Sequence, residues 1–240
     1  EVIEGLLFTQ EVRCFMEKFQ LETYKKTEEE FTDGLDRKSS AAANFVFPGA
    51  ENNKVKGYFS TGGINKVLGQ LDMNQKDIIK VINKDLFKNK ISKSDLENFI
   101  KIGENKNVVG NILKLDYLKH FSIKFYKCIK RLNKLVNGDK GSGIAFIYSN
   151  LVKAGGIEVF ADCLKANGYL EYNDNGEYAI EDNTLDALTG LTFKDFNKKY
   201  KDKTFYPATY LLVTGGSEES IEDSQEEKQR IIREVYNNVG

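Results

Sequence analysis

The chain has 240 residues with 40% hydrophobic, 12% aromatic and 30% charged side chains, a composition that fills a core and excludes global disorder. Lys+Arg 35 against Asp+Glu 36 gives a net charge of -1, so contact with nucleic acid has to come from local patches, not from a whole-molecule field. No run approaches about 18 consecutive apolar residues, which excludes a membrane-spanning helix.

Cys14, Cys128 and Cys163 are far apart and form no CxxC, and His120 is the one histidine, which argues against a zinc site. The absence of G-x-S-x-G around His120 argues against a Ser-His-Asp or Cys-His centre. The thiols point to a reducing compartment and no signal peptide precedes them. Glu1, in place of an initiator methionine, suggests a cut piece of a longer protein.

Residues 1–30 read as an apolar lead-in and a helix, with Phe15 and Phe19 at i and i+4 and Tyr24 near the same face. Residues 36–65 lack a clean period. Gly49, Gly57, Gly62, Gly63 and Pro48 surround the apolar Phe45-Val46-Phe47, which predicts a loop-rich segment. From 71 to 118 the pattern is helical, through Ile78, Ile79, Ile82 and Leu86, then Leu96, Phe99 and Ile100, with Ser94 and Glu97 as a capping box. The clearest helix is predicted over 121–136. Phe121, Phe125, Ile129, Leu132 and Val136 form its apolar stripe, and Lys124, Lys127, Lys130, Arg131 and Lys134 its basic face.

Past the flexible Gly141-Ser142-Gly143 the pattern changes. Ile144-Ala145-Phe146-Ile147-Tyr148 is a nearly continuous apolar run, as expected of a strand buried on both faces, with Phe146 at its centre. Ser149-Asn150 ends it, and Ile157, Phe160, Ala161 and Leu164 form a helical stripe that stops at Gly168. A second unit follows: a strand over 209–213, the turn Thr214-Gly215-Gly216, and a helix opened by a Ser224–Glu227 capping box and carrying Ile231, Ile232 and Val235. Two strand–turn–helix units predict an α/β domain with a parallel sheet. The connection at 169–208 is read as an insertion. It holds a predicted hairpin over 169–180 turning at Asn175-Gly176, and the cluster Lys194, Lys198, Lys199, Lys201 and Lys203.

Ligands of open α/β sheets bind outside the carboxyl ends of the strands. Ser149-Asn150 and Thr214-Gly215-Gly216 occupy that edge, where exposed backbone N–H groups suit phosphate oxygens, although tight turns alone would look the same. No G-x-x-x-x-G-K-S/T occurs, no D-E-x-H box follows a strand, and no G-x-G-x-x-G follows one. The chain alone is therefore not expected to hydrolyse a nucleotide.

Residues 146–157, Phe-Ile-Tyr-Ser-Asn-Leu-Val-Lys-Ala-Gly-Gly-Ile, resemble motif IV of superfamily 2 helicases, in the form seen in helicase-like ATPases of nucleocytoplasmic large DNA viruses. These are relatives of poxvirus early-transcription-factor and nucleoside-triphosphatase subunits. Three further segments agree in order. Met16, Phe19-Gln20 and Tyr24 resemble an M-x-x-x-Q-x-x-x-Y helix with its spacing shifted by one. Residues 40–49 resemble an S-N-F-V-F-P block, and residues 121–125 resemble Y-S-P-K-F with isoleucine in place of proline. The run Leu211-Leu212-Val213-Thr214-Gly215, then Gln229-Arg230-Ile231-Ile232 and Tyr236-Asn237, is similar to the segment preceding motif V.

The resemblance implies the start of a second RecA-like half: a partial parallel-sheet α/β domain with a loop-rich N-terminal part (1–65), a helical insert (66–118) and an α/β portion (119–240). It implies ATP and Mg²⁺ in the intact motor, with neither expected for this piece, whose motifs I, II, V and VI are missing. The implied partners are DNA or RNA, the remaining helicase half and viral RNA polymerase subunits, in host cytoplasm or virion core, with no membrane. Ser149, Asn150, Lys153, Thr214 and Gly215, supported by Lys198, Lys199 and Lys201, are the expected nucleic-acid contacts. The competing class is a non-catalytic interaction module docking onto polymerase or virion proteins. An independent α/β enzyme such as a methyltransferase would need a glycine-rich loop where Ser149-Asn150 stands.

Overall fold

A computed structural model describes residues 10–30, 37–139, 143–214, 226 and 228–236. Helix α1 (Lys18–Glu30) buries Phe19, Thr23 and Thr27. Phe15 lies ahead of the helix and is 78% exposed, so the predicted stripe starts one turn later than its i, i+4 spacing suggests.

The predicted loop-rich stretch contains regular structure. Helix α2 (Arg37–Asn44) runs into Phe45, Val46 and Phe47, all fully buried. Strand β1 (Phe47–Glu51) then pairs antiparallel with β2 (Lys54–Tyr58), Phe47 opposite Tyr58 and Glu51 opposite Lys54. Asn52 and Asn53 form the connection at φ 51° and 58°, the left-handed pair of a type I′ hairpin. Asparagine tolerates that region, so the turn needed no glycine. Gly57 answers a different demand, since a Cβ there would strike the Thr23 hydroxyl of α1.

Helix α3 (Ser60–Phe87) packs across the hairpin and buries Val67, Leu71, Ile78 and Ile82. It breaks at Asn74 (φ -158°, ψ 73°), whose side-chain oxygen accepts from Asp77 N at 3.3 Å and so caps the second half. Helix α4 (Lys93–Glu97) is capped by Ser92, which accepts from Asp95 N at 3.1 Å, two residues before the predicted Ser94. A two-residue antiparallel pair, β3 (Lys101–Ile102) with β4 (Val108–Val109), and helix α5 (Leu115–Leu118) lead to α6 (Ile123–Val136). The predicted stripe of α6 faces inward: Phe121 and Ile129 are fully buried, and Phe125, Leu132 and Val136 pack against the core.

The remainder is mixed α/β. Helix α7 (Ile157–Ala166) buries Val159, Phe160, Cys163 and Leu164. Strand β5 (Leu170–Glu171) pairs in parallel with β6 (Thr209–Tyr210), so the parallel partner of the second predicted strand is 170–171 and not the predicted first strand at 144–148. Helix α8 (Phe193–Lys199) lies in the connection between them. That connection is held by Asp186, a fully buried carboxylate that accepts from Leu188 N, Thr189 N, the Thr189 hydroxyl and Tyr206 N.

Three expectations are corrected in this part. The strand predicted over 209–213 contracts to two residues. The 169–180 hairpin does not form, because Tyr172 N donates instead to Tyr210 O at 2.8 Å on the parallel ladder; the turn itself survives, with Gly176 at φ 68°. Residues 144–148 are neither a paired strand nor buried: Ile144, Phe146 and Tyr148 are 50%, 90% and 79% exposed. Both faces are apolar as the sequence indicates, but no described strand lies beside them. The Ser224–Glu227 cap falls outside the described residues. Among the described residues, no helix is long and apolar enough to cross a membrane.

Candidate nucleic-acid interface

Ser149, Asn150 and Lys153 sit together on the turn that feeds α7. The Ser149 hydroxyl accepts from Leu151 N at 3.2 Å, while Asn150 and Lys153 are exposed. The chain then passes through Ala154 (φ 51°) and Gly155 (φ 105°) and comes so close to itself that a Cβ on Gly156 would strike the Leu151 carbonyl. This folding back closes the start of α7. Gly156 N donates to Lys153 O at 3.2 Å, Ile157 N to Leu151 O at 2.9 Å and Glu158 N to Val152 O at 3.1 Å. The first N–H groups of α7, which would otherwise cradle a phosphate, are thus occupied by carbonyls of their own loop. What the turn offers a ligand is the side chains of Asn150 and Lys153.

Thr214, the last described residue after β6, is half-buried, and Gly215 lies outside the described residues. No hydrogen bond or ion pair among the described residues joins Thr214 to the 149–156 turn, or either of them to the lysine cluster.

Lys198, Lys199 and Lys201 gather at the end of α8. Thr192 caps that helix, accepting from Asp195 N at 3.3 Å, and Phe196 anchors it in the interior. The Lys198 ammonium sits 2.8 Å from Asp195 Oδ1. That hydrogen bond, and secondarily the one from Thr192, holds the Asp195 carboxyl below its ordinary range. Lys199 and Lys203 stand over the Tyr200 ring, 5.3 and 4.3 Å from its centroid. Tyr200 is a member of this surface that a count of lysines overlooks, although Lys199-Tyr200-Lys201 spells out the interleaving of base and aromatic.

The basic face of α6 is the second positive surface. Lys124 donates to Asn44 Oδ1 at 3.1 Å, Lys127 to Arg13 O, and Arg131 to Gln10 Oε1 at 3.0 Å, so residues 10–13 lie along this helix. Lys130 stands 5.4 Å from the Tyr126 ring centroid. A recess of about 240 Å³ beside it is lined by Leu115, Asp116, Lys119, Tyr126 and Lys130. The hydrogen-bond partners on this face are neutral, so positive charge is held in place without being cancelled.

Among the described residues, no group of three or more His, Cys, Asp or Glu side chains is arranged to hold a metal ion. The self-capped α7 N-terminus leaves no free N–H cradle at that turn for a phosphate.

The whole chain is similar to a viral protein named for a helicase. Over a 251-residue alignment it is 39% identical to an Acanthamoeba polyphaga mimivirus protein named "Putative ATP-dependent RNA helicase L377", covering 100% of this chain and 21% of that protein. The chain therefore spans about a fifth of the length of the relative it matches. No protein-family model matches the chain. No solved structure matches it.

Proposed function

We propose that this chain is part of an ATP-dependent helicase or nucleic-acid translocase of viral type, the start of its second RecA-like half, and that it contributes a surface following the nucleic-acid backbone. RNA is the track that the relative's name favours. Viral transcription, with RNA polymerase subunits as partners, in host cytoplasm or virion core, is the setting the motif resemblance implies. ATP and Mg²⁺ would be held by other parts of the motor. The backbone contacts are Lys198, Lys199 and Lys201, with Asn150 and Lys153 of the turn before α7; Ser149, Thr214 and Gly215 complete the set.

The observation that carries this reading is the segregation of uncancelled charge. A chain of net charge -1 presents Lys124, Lys127, Lys130, Arg131 and Lys134 on one face, and Lys194, Lys198, Lys199, Lys201 and Lys203 on another. Of these, Lys198 alone is ion-paired among the described residues. Each phosphate neutralised contributes about 0.7 to 0.9 to the log–log salt slope. Reversing Lys198, Lys199 and Lys201 to glutamate is expected to weaken binding to all sequences alike and to flatten the slope by about 2 to 3. Fluorescence anisotropy with a random single strand and a random duplex, titrated across salt, reads both. No anisotropy change by the wild type at low salt would remove the backbone-tracking role and leave the interaction module in its place.

A further inference from the structure

The recess beside α6 is built from unlike parts. Leu115 and Asp116 of α5, Lys119 at the end of that helix, and Tyr126 and Lys130 of α6 line about 240 Å³. Tyr126 and Lys130 stand one turn apart, which puts a phenol ring and an ammonium on the same wall. Leu115, Lys119 and Tyr126 are half-buried, whereas Asp116 and Lys130 are exposed. Among the described residues, neither lysine nor Asp116 takes part in an ion pair.

We propose that this recess holds one unstacked base of a nucleic-acid single strand against Tyr126, with the adjoining phosphate on Lys119 and Lys130. This rests on the reading of the chain as a nucleic-acid-binding piece. It adds a contact that the backbone surface lacks, and that contact confines the site to strands whose bases are free.

A nucleotide unit is a flat aromatic base joined to one negative charge. Tyr126 and Leu115 supply the apolar wall, and stacking on a tyrosine is indifferent to base identity because every base has a π-face. Two lysines against one carboxylate leave one positive charge in the recess, the charge that one phosphodiester balances. Half-buried Lys119 has no carboxylate partner among the described residues, so a phosphate gives it the charged acceptor it lacks. Lys130 now rests 5.4 Å from the Tyr126 ring centroid. An exposed cation–π contact of that length is weak, so a base displaces the ammonium from the ring toward the phosphate. The volume lies below the about 300 to 1,000 Å³ of pockets that enclose a small molecule. It suits one base still joined to its strand and not a whole nucleoside triphosphate. In a duplex the bases are stacked and paired, and none is free for the ring. An acidic peptide would meet the lysines, but it has no flat group for Tyr126 and brings further carboxylates against Asp116.

Fluorescence anisotropy of the 240-residue chain tests this with a labelled single strand, an abasic strand of the same length and a duplex of the same sequence. The wild type is expected to bind the intact strand about tenfold or more tighter than the abasic one. Tyr126→Leu keeps an apolar side chain against the core and is expected to remove that advantage, with abasic-strand and duplex binding unchanged. Tyr126→Phe is expected to retain it. A thermal melt checks that the leucine variant is folded, and the comparison of intact with abasic strand needs no variant. Free adenosine 5′-monophosphate is expected to compete only at millimolar concentration. Three results would overturn the proposal: equal binding of intact and abasic strands by the wild type, an advantage that survives Tyr126→Leu, or displacement of the strand by micromolar adenosine 5′-monophosphate, which would assign the recess to a free nucleotide. The two readings fail separately. Equal binding with a steep salt slope removes the base site and keeps the backbone surface. Base-dependent binding that reversal of Lys198, Lys199 and Lys201 leaves unchanged removes the backbone surface and keeps the base site.

Discussion

Gln20 shows how one buried polar side chain ties three elements together. It is fully buried on α1, donates to Ala42 O and Ala43 O at 3.2 Å each, and accepts from Ile123 N at 3.1 Å. It therefore serves the orphan carbonyls at the end of α2 and an orphan N–H at the start of the basic helix α6. Ser122 completes the junction, accepting from Phe125 N at 3.1 Å and donating to Asn44 O. Gln20→Leu keeps the volume and strands those backbone groups, so it is expected to destabilise by about 2 to 4 kcal/mol in urea unfolding. A loss below about 0.5 kcal/mol would show that the junction does not need it. Tyr210 is the opposite case. Its hydroxyl is buried without a hydrogen-bond partner among the described residues, and burial drives its pKa far upward. Tyr210→Phe removes an unsatisfied group, and its thermal midpoint is expected to equal or exceed that of the wild type. A fall worth more than about 1 kcal/mol would mean that the hydroxyl is satisfied in solution.

Among the elements, the glycine pair before α7 has a physical reason beyond its resemblance to a motif. Gly155 occupies the left-handed region at φ 105°, and Gly156 lies against the Leu151 carbonyl. Gly156→Ala must push that carbonyl away from Ile157 N, and a loss of about 1 to 3 kcal/mol is expected, with faster exchange of the first α7 amides. An unchanged melt and unchanged exchange would mean that the turn has slack. Amphipathic helices such as α6 were legible in the sequence because their period is local and long. The β1–β2 hairpin was not, because its turn uses Asn52-Asn53 and its arms hold Pro48, Gly49 and Gly57, residues that usually mark loops. The two lysine clusters of the candidate site were legible as charge runs, whereas the self-capping of α7 was not, since it depends on carbonyl directions that no side chain announces. The row at 144–148 reads as a buried strand by composition, but among the described residues it is neither paired nor buried, because pairing and burial depend on a neighbour that its own residues do not supply.

At the scale of the whole molecule, a single histidine makes one part of the pH profile assignable to one residue. His120 lies half-buried in an aromatic group, 5.0 Å from the Phe87 ring centroid and 6.4 Å from that of Phe121, both edge-on. Burial, and secondarily the Lys119 charge, pull its pKa below the ordinary 6.5, while Glu17 opposes them. A base whose folded pKa is depressed is neutral in the folded state at a pH where the unfolded chain already binds a proton. Stability is therefore complete above about pH 6.5 and declines as pH falls through the folded value, with a slope of at most about 1.4 kcal/mol per pH unit. Carboxylates such as Asp95, held low by hydrogen bonds from Ser92 and Tyr117, lose their contribution at more acid pH and do not contribute to this window. With no second histidine in the chain, His120→Gln is expected to flatten the urea-unfolding free energy between about pH 6.5 and 5.5, while the wild type declines. Equal slopes in the two proteins would mean that the imidazole titrates alike folded and unfolded, and that the ring packing around Phe87 opens freely in solution.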